Sequence, residues 1–212
     1  MKRNFFVDSK GGSALPQLRV FLDIHAVSHS FRLLASEDPV TSGVAYASLQ
    51  SAVRKKILRD PPSGECADFL NGKNVDEFAR ESGNLSTQWS RSRHSADHLS
   101  KYLKFEWVWN KELGCFYLNL FRSLNPVCLA PSTAGLVTRL FRDDLESNYF
   151  KQLSDLVDQG KTVEVFSEHP ASNHFHLASD YMSCCDWNFI HRTHLGCLQL
   201  NATMNFSNRN PR

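Results

Sequence analysis

Residues 17–27 read Gln17-Leu18-Arg19-Val20-Phe21-Leu22-Asp23-Ile24-His25-Ala26-Val27. Leu18, Val20, Leu22 and Ile24 fall on one side of a two-residue repeat, and Arg19, Phe21, Asp23 and His25 fall on the other. Successive side chains of a strand leave opposite faces, so this alternation predicts a half-buried β-strand. In the expected fold that strand lies in one layer with a tryptophan-bearing hairpin further along the chain, and its acid and imidazole look toward a shared cleft.

Beyond this stretch the period changes. Across residues 42–59, Ala45, Leu49, Ala52, Val53 and Ile57 recur at helical spacing, while Arg54, Lys55, Lys56 and Arg59 crowd the last turns, where cations suit the helix dipole. Asp60-Pro61-Pro62-Ser63-Gly64 then breaks the chain. The polar stretch from 65 to 100 holds a short helix, with Asn74 as N-cap, Phe78 and Ala79 within it and Gly83 at its end. Two aromatic-rich runs, 102–109 and 115–124, flank Asn110-Lys111-Glu112-Leu113-Gly114, which predicts an antiparallel hairpin with a glycine in its turn. After Pro126 and Pro131, Ser132 or Thr133 caps a long helix carrying Leu136, Leu140, Leu145, Tyr149, Leu153, Leu156 and Val157, with Gly160 as its stop. Thr162 to Phe166 alternates again as a strand, and a Cys/His/aromatic segment follows Pro170. Strands and helices in this order, without a regular βαβ rhythm, predict an α+β fold with a central antiparallel sheet flanked by helices. The expected division is an N-terminal extension over 1–14, a single α+β domain over 15–200 and a polar tail over 201–212.

Composition bounds the function. Lys plus Arg (24) against Asp plus Glu (22) leaves a net charge of +2, which excludes a basic whole-chain footprint but leaves room for a local basic patch. With 42% hydrophobic residues, 11% aromatics and 22% charged, the 212 residues can bury a sizeable core, which excludes wholesale disorder. Near the start only Phe5, Phe6 and Val7 run together, short of the apolar region of about 7–15 residues in a signal peptide. No apolar run approaches the roughly 20 residues of a membrane helix, so no membrane partner is expected. Cys66, Cys115, Cys128, Cys184, Cys185 and Cys197 are spaced too irregularly for a disulfide framework in a chain this long, which predicts reduced thiols and a cytoplasmic location. Asn-x-Ser/Thr triplets at Asn84, Asn201 and Asn205 would matter only in a secreted protein.

Several groups have the residue types that chemistry needs. Asp23 and His25, two apart on a strand, leave the same face, where a carboxylate orients an imidazole or shares a metal with it; a solvated strand edge is spelled the same way. His174-Phe175-His176 has the pattern in which a strand presents two imidazoles to a divalent ion, and Tyr181 is placed five residues on as a nucleophile; an exposed loop after Pro170 is the plainer reading. This ligand set leaves the metal open, Mn or Mg for nuclease chemistry and Zn as the alternative. Cys184, Cys185, His191, His194 and Cys197 supply thiolate and imidazole donors for a structural zinc, or else a small buried cluster. Arg54, Lys55, Lys56 and Arg59, with Arg91 and Arg93, are the basic concentrations suited to phosphates, if they are not simply a solvated helix end. Phe105, Trp107 and Trp109 share one strand face, as a base-stacking platform or as core. No phosphate-cradling glycine loop, Gly-x-Ser-x-Gly elbow or His-Glu-x-x-His helix is present.

Arg19-Val20-Phe21-Leu22-Asp23 looks like an early strand in which an Arg-Val pair precedes an acid, and Trp107-Val108-Trp109-Asn110-Lys111-Glu112 looks like a Trp-Val-x-Arg-Glu strand. Cys115-Phe116-Tyr117-Leu118 occupies the place of a His-Tyr-His-Leu metal strand, and Phe166-Ser167-Glu168-His169-Pro170 that of a Phe-x-Glu-Asn-Pro turn. Phe189 to Leu195 looks like an Arg-x-x-Tyr-Leu-x-Lys helix, and Asn205 to Arg209 like a terminal Arg-x-Phe-Gly-x-Ser-Arg run. Together these motifs resemble the inovirus gene-II-like family of prophages and mobile elements, also called the YagK-YfjJ family, akin to rolling-circle replication initiators. The resemblance implies an HUH-nuclease-like replication-initiator fold and binding of single-stranded or origin-like DNA. In the family a tyrosine attacks a phosphodiester polarised by a divalent metal. Here Cys115 and Tyr117 stand where metal histidines are expected, and His194 and Cys197 where a tyrosine and a lysine are expected. The implied function is therefore a DNA-binding protein of a prophage or mobile element with nicking degenerate or lost. If nicking persists, the expectation is a metal held by His174 and His176 with Asp23 or His25, and attack by Tyr181. The alternative is a noncatalytic interaction or regulatory protein with a C-terminal Cys/His zinc site. The oligomeric state is not legible.

Overall fold

Leu18–Leu34 is an α-helix, α1, in the computed structural model of the chain, which describes residues 18–74, 76–80, 86–122, 126–155 and 185–186. The strand expected over residues 17–27 is thereby overturned. Val20, Ile24, Val27, Phe31 and Leu34 are all buried, a stripe at three- and four-residue spacing that continues well past Val27. The alternation misled because two of its four apolar residues, Leu18 (70% exposed) and Leu22 (58%), face solvent on the helix. Phe31 and Leu34, beyond the end of the alternating stretch, decide the period.

The elements then run α2 (Pro39–Ile57), α3 (Ser63–Leu70), α4 (Gln88–Leu99), β1 (Phe105–Asn110), β2 (Cys115–Leu120), β3 (Val127–Leu129) and α5 (Val137–Ser154), with 3₁₀ turns at Asp76–Ala79 and Pro131–Leu136. α2 begins where Asp38 caps it, the carboxylate accepting from the amides of Val40 and Thr41, with Pro39 in the first turn. It ends at Leu58, whose φ of 63° is a left-handed cap conformation usually taken by glycine. α3 begins at Ser63, inside the expected break, α4 falls within the polar stretch, and where the short helix through Phe78 and Ala79 was expected the described residues form the 3₁₀ turn. Thr87 opens α4 with a reciprocal capping box, its hydroxyl accepting from the amide of Ser90 while the Ser90 hydroxyl accepts from the Thr87 amide.

The three strands form an antiparallel sheet in the order β1-β2-β3. The expected hairpin is present: Asn110 pairs with Cys115, the Asn110 side chain accepts from the amides of Glu112 and Leu113, and Gly114 takes φ 62°. In register, Phe105, Trp107 and Trp109 of β1 share a face with Leu120, Leu118 and Phe116 of β2. That face is core. Trp107 meets Phe31 of α1, Trp109 stacks on Tyr46 of α2, and Phe105 meets Phe141 of α5. The three rings therefore hold helices onto the sheet and are not a free stacking platform. At the outer edge of β1, the Asn71 side chain just past α3 accepts from the Trp107 amide at 2.7 Å and donates to its carbonyl at 2.9 Å. A side-chain amide thus satisfies both backbone groups of that edge residue. Gly72 follows at φ 77°, where an added Cβ would also lie 3.3 Å from that of Asp97.

The described elements are α+β with a three-stranded antiparallel sheet and helices against it. Contacts divide the chain into two units, Pro16–Asn148 and one made of Met1–Leu15 with Tyr149–Arg212. The first holds α1 to α4, the sheet and most of α5. In the second the described residues are 149–155, which end α5, and 185–186. No described helix is long and apolar enough to cross a membrane.

Candidate acid–base site

α1 and α4 pack along their length with small and polar residues between them. Asp23 of α1 meets Ser95 and His98 of α4, while the Gln88 side chain at the start of α4 donates to the Ala26 carbonyl and the Ser30 hydroxyl. Rising numbers on one helix face falling numbers on the other, so the pair is antiparallel. Ser28, Ser30, Ser92 and Ser95 are buried in these two helices. Small side chains let the helices approach, so a single carboxylate can reach across.

That carboxylate makes two short hydrogen bonds. Ser95 Oγ donates to Asp23 Oδ1 at 2.7 Å, and His98 Nδ1 lies 2.6 Å from Asp23 Oδ2. Ser95 and His98 are three apart on α4 and so share a helical face. The Asp23 and His98 side chains keep 16% and 18% of their surface, enough for one edge of the ring to reach water. The Tyr102 ring stands edge-on to the imidazole at 5.7 Å. An ionised carboxylate only accepts hydrogen bonds, so Nδ1 is the donor. In the neutral ring the Nε2 lone pair is then directed away from the acid, the tautomer of an oriented general base or metal ligand.

His25 does not join this group. Two residues along a helix turn by about 200°, so His25 leaves the side of α1 opposite Asp23, exposed, with its ring against Phe21 at 4.3 Å. The shared face assumed for the two residues existed only on a strand. The basic end of α2 is also reshaped. Lys56 is buried at 7% exposure, its ammonium donating to the Arg80 carbonyl. Arg54 pairs with Asp60 at 3.3 Å, and Arg59 with Glu65 at 2.7 Å and Glu77 at 3.1 Å. Lys55 is exposed, as is Arg91. Arg93 is buried between the Phe69 and Phe78 rings and donates to the carbonyls of Lys73 and Phe78; burial draws its pKa below the usual guanidinium value, with Asp97 opposing.

On the sheet face turned away from the helices, Cys115 and Tyr117 are neighbours on β2, and Cys128 of β3 lies across from Asn119 on the same side. Desolvation, then Cys115 as neighbour and hydrogen-bond partner, and Cys128 push the Tyr117 phenol above its usual pKa. His174, His176, Tyr181, Cys184, His191, His194 and Cys197 lie outside the described residues. Cys185 is described and exposed. Among the described residues no group of three or more His, Cys, Asp or Glu side chains comes together to hold a metal ion.

Sequence reasoning singled out Asp23 but missed Ser95 and His98. Their three-residue spacing inside Ser92-Arg93-His94-Ser95-Ala96-Asp97-His98 was the available signal, and it becomes readable only once α4 is recognised as a helix. Compared with family models, curated proteins and solved structures, the chain finds no match in any of the three.

Proposed function

We propose that this chain is a hydrolase whose general base is the His98 imidazole, oriented by Asp23. The observation that supports the reading is the pair of contacts on one carboxylate: Ser95 on Oδ1 and His98 Nδ1 on Oδ2, at the rim of a helix interface that leaves an edge of the ring in water. Ser95 donates to the acid and not to the imidazole, so water and not Ser95 is the nucleophile in this scheme. His98 Nε2 takes a proton from water as the oxygen attacks, and returns it to the leaving group. The test is hydrolysis of chromogenic esters and phosphoesters by wild type, Asp23→Asn and His98→Gln, with circular dichroism as the check on folding. A general base contributes about 10²- to 10⁴-fold, so a folded His98→Gln protein should lose at least the lower of these. Equal rates in folded variants overturn the proposal.

A second reading has its own observation. Cys115 and Tyr117 stand side by side, half-buried, on the face of β2 turned away from the helices, the two places that the resemblance to replication initiators assigns to metal histidines. We accordingly propose a DNA-binding protein of a prophage or mobile element with nicking degenerate or lost. Its support no longer includes a strand at residues 17–27. Fluorescence anisotropy with labelled single-stranded DNA tests it: saturable binding that weakens with salt supports the reading, and no binding at low salt rejects it.

A further inference from the structure

We infer that the substrate of the Asp23–His98 site carries a negative charge beside the bond that is broken, and that it is a phosphate ester. This rests on the acid–base reading above. The antiparallel pairing fixes which parts of α1 and α4 border the Asp23–His98 contact. Asp23 faces Ser95 and His98, while Ala26 and Ser30 face Gln88, so the residues before Asp23 run out beside the chain that follows His98. Arg19 precedes Asp23 by one helical turn on the same face, and Lys101 follows His98 by three residues; both are exposed. His94 lies one turn before His98 on α4, also exposed, its Nδ1 committed to the Ser90 carbonyl at 2.7 Å. The neighbouring acid, Asp97, lies on the flank of α4 that packs against Gly72, away from α1. The rim of the dyad is thus cationic at Arg19 and Lys101, and among the described residues neither is tied up in an ion pair with a carboxylate, as Arg54, Arg59 and Arg122 are. A guanidinium and an ammonium on one rim suit phosphate oxygens, and they hold the developing charge of the transition state as well as that of the ground state.

The step balances without a further reactant. Water oxygen bonds to phosphorus, the phosphorus–oxygen bond to the leaving group breaks, and its electron pair departs with that oxygen. The water proton passes to His98 Nε2 and then to the leaving oxygen, while Asp23 remains a carboxylate throughout.

The experiment uses the purified full chain with p-nitrophenyl phosphate, bis(p-nitrophenyl) phosphate and uncharged p-nitrophenyl acetate. The two phosphates distinguish a monoester from a diester site. The expected result is turnover of a phosphate that falls at least about 100-fold in His98→Gln, with KM raised about tenfold and kcat less affected in Arg19→Ala and Lys101→Ala. Turnover of the acetate alone, dependent on His98, overturns the charge inference and leaves the acid–base reading intact. Phosphate turnover with KM unchanged in both cation variants overturns the assignment of Arg19 and Lys101. Turnover of none of the three overturns the acid–base reading itself.

Discussion

Asp38, Cys66 and Leu58 show how far a single residue's surroundings set its chemistry. Hydrogen bonds from the Thr41 side chain and from the amides of Thr41 and Val40 hold the Asp38 carboxyl below its usual range, with desolvation opposing. A carboxyl whose folded pKa is depressed adds stability above its unfolded pKa of about 3.9 and loses it as pH falls through the lower folded value. Asp38→Ala should therefore lower Tm near neutrality, by a gap that narrows as melts are taken to acid, whereas Asp38→Asn, itself a good cap, should lower it less. Burial pushes the Cys66 thiol up to about 12, Glu65 adding to the effect, while Cys128 is exposed. Thiolate is the reacting form, so iodoacetamide at about pH 8 should alkylate Cys128 and spare Cys66 until the chain unfolds. Peptide mapping of the labelled protein checks this. Leu58 sits in the left-handed region and is exposed, so Leu58→Gly removes a steric cost of roughly 1 kcal/mol without loss of packing and should raise Tm.

At the scale of elements, α1 is where sequence and structure part. The period-2 pattern over residues 17–27 and the period-3.6 stripe over residues 20–34 share Val20 and Ile24, and a window that stops at Val27 cannot separate them. The hairpin was legible because its turn states itself: Asn110 for the side-chain-to-amide bonds and Gly114 for the positive φ. The middle of α2 was legible from Ala45, Leu49, Val53 and Ile57, all of them buried. α4 was not, because its interior positions carry Ser92, Arg93 and Ser95 as well as Trp89, Ala96 and Leu99, and hydropathy does not register a helix that buries serines and a guanidinium. The expected helix over residues 132–160 begins one turn late, after the 3₁₀ turn at Pro131–Leu136, and its stop at Gly160 lies outside the described residues. The sheet edge gives a test at this scale. Asn71→Ala leaves the Trp107 amide and carbonyl without their partner and should destabilise by about 1–3 kcal/mol in denaturant melts, whereas an effect within about 0.5 kcal/mol, the range of a neutral surface change, would mean that water replaces it freely.

For the molecule as a whole, the coarse class was readable, since aromatic strands around a turn and long helices on either side leave few alternatives to α+β. The candidate site was half readable: Asp23 stood out through its spacing from His25, a pairing the helix undoes, and its actual partners come from a helix more than seventy positions away, Ser95 and His98 at separations of 72 and 75. Sequence spacing reports neighbours within an element and not those that packing brings together. The site exists only if α1 and α4 lie side by side so that this acid meets this imidazole. A double-mutant cycle of Asp23→Ala and His98→Ala, read as unfolding free energy, measures that directly. The structure predicts that the two losses fail to add by about 0.5–3 kcal/mol, as they do for residues in contact, and additivity within about 0.3–0.5 kcal/mol would contradict it.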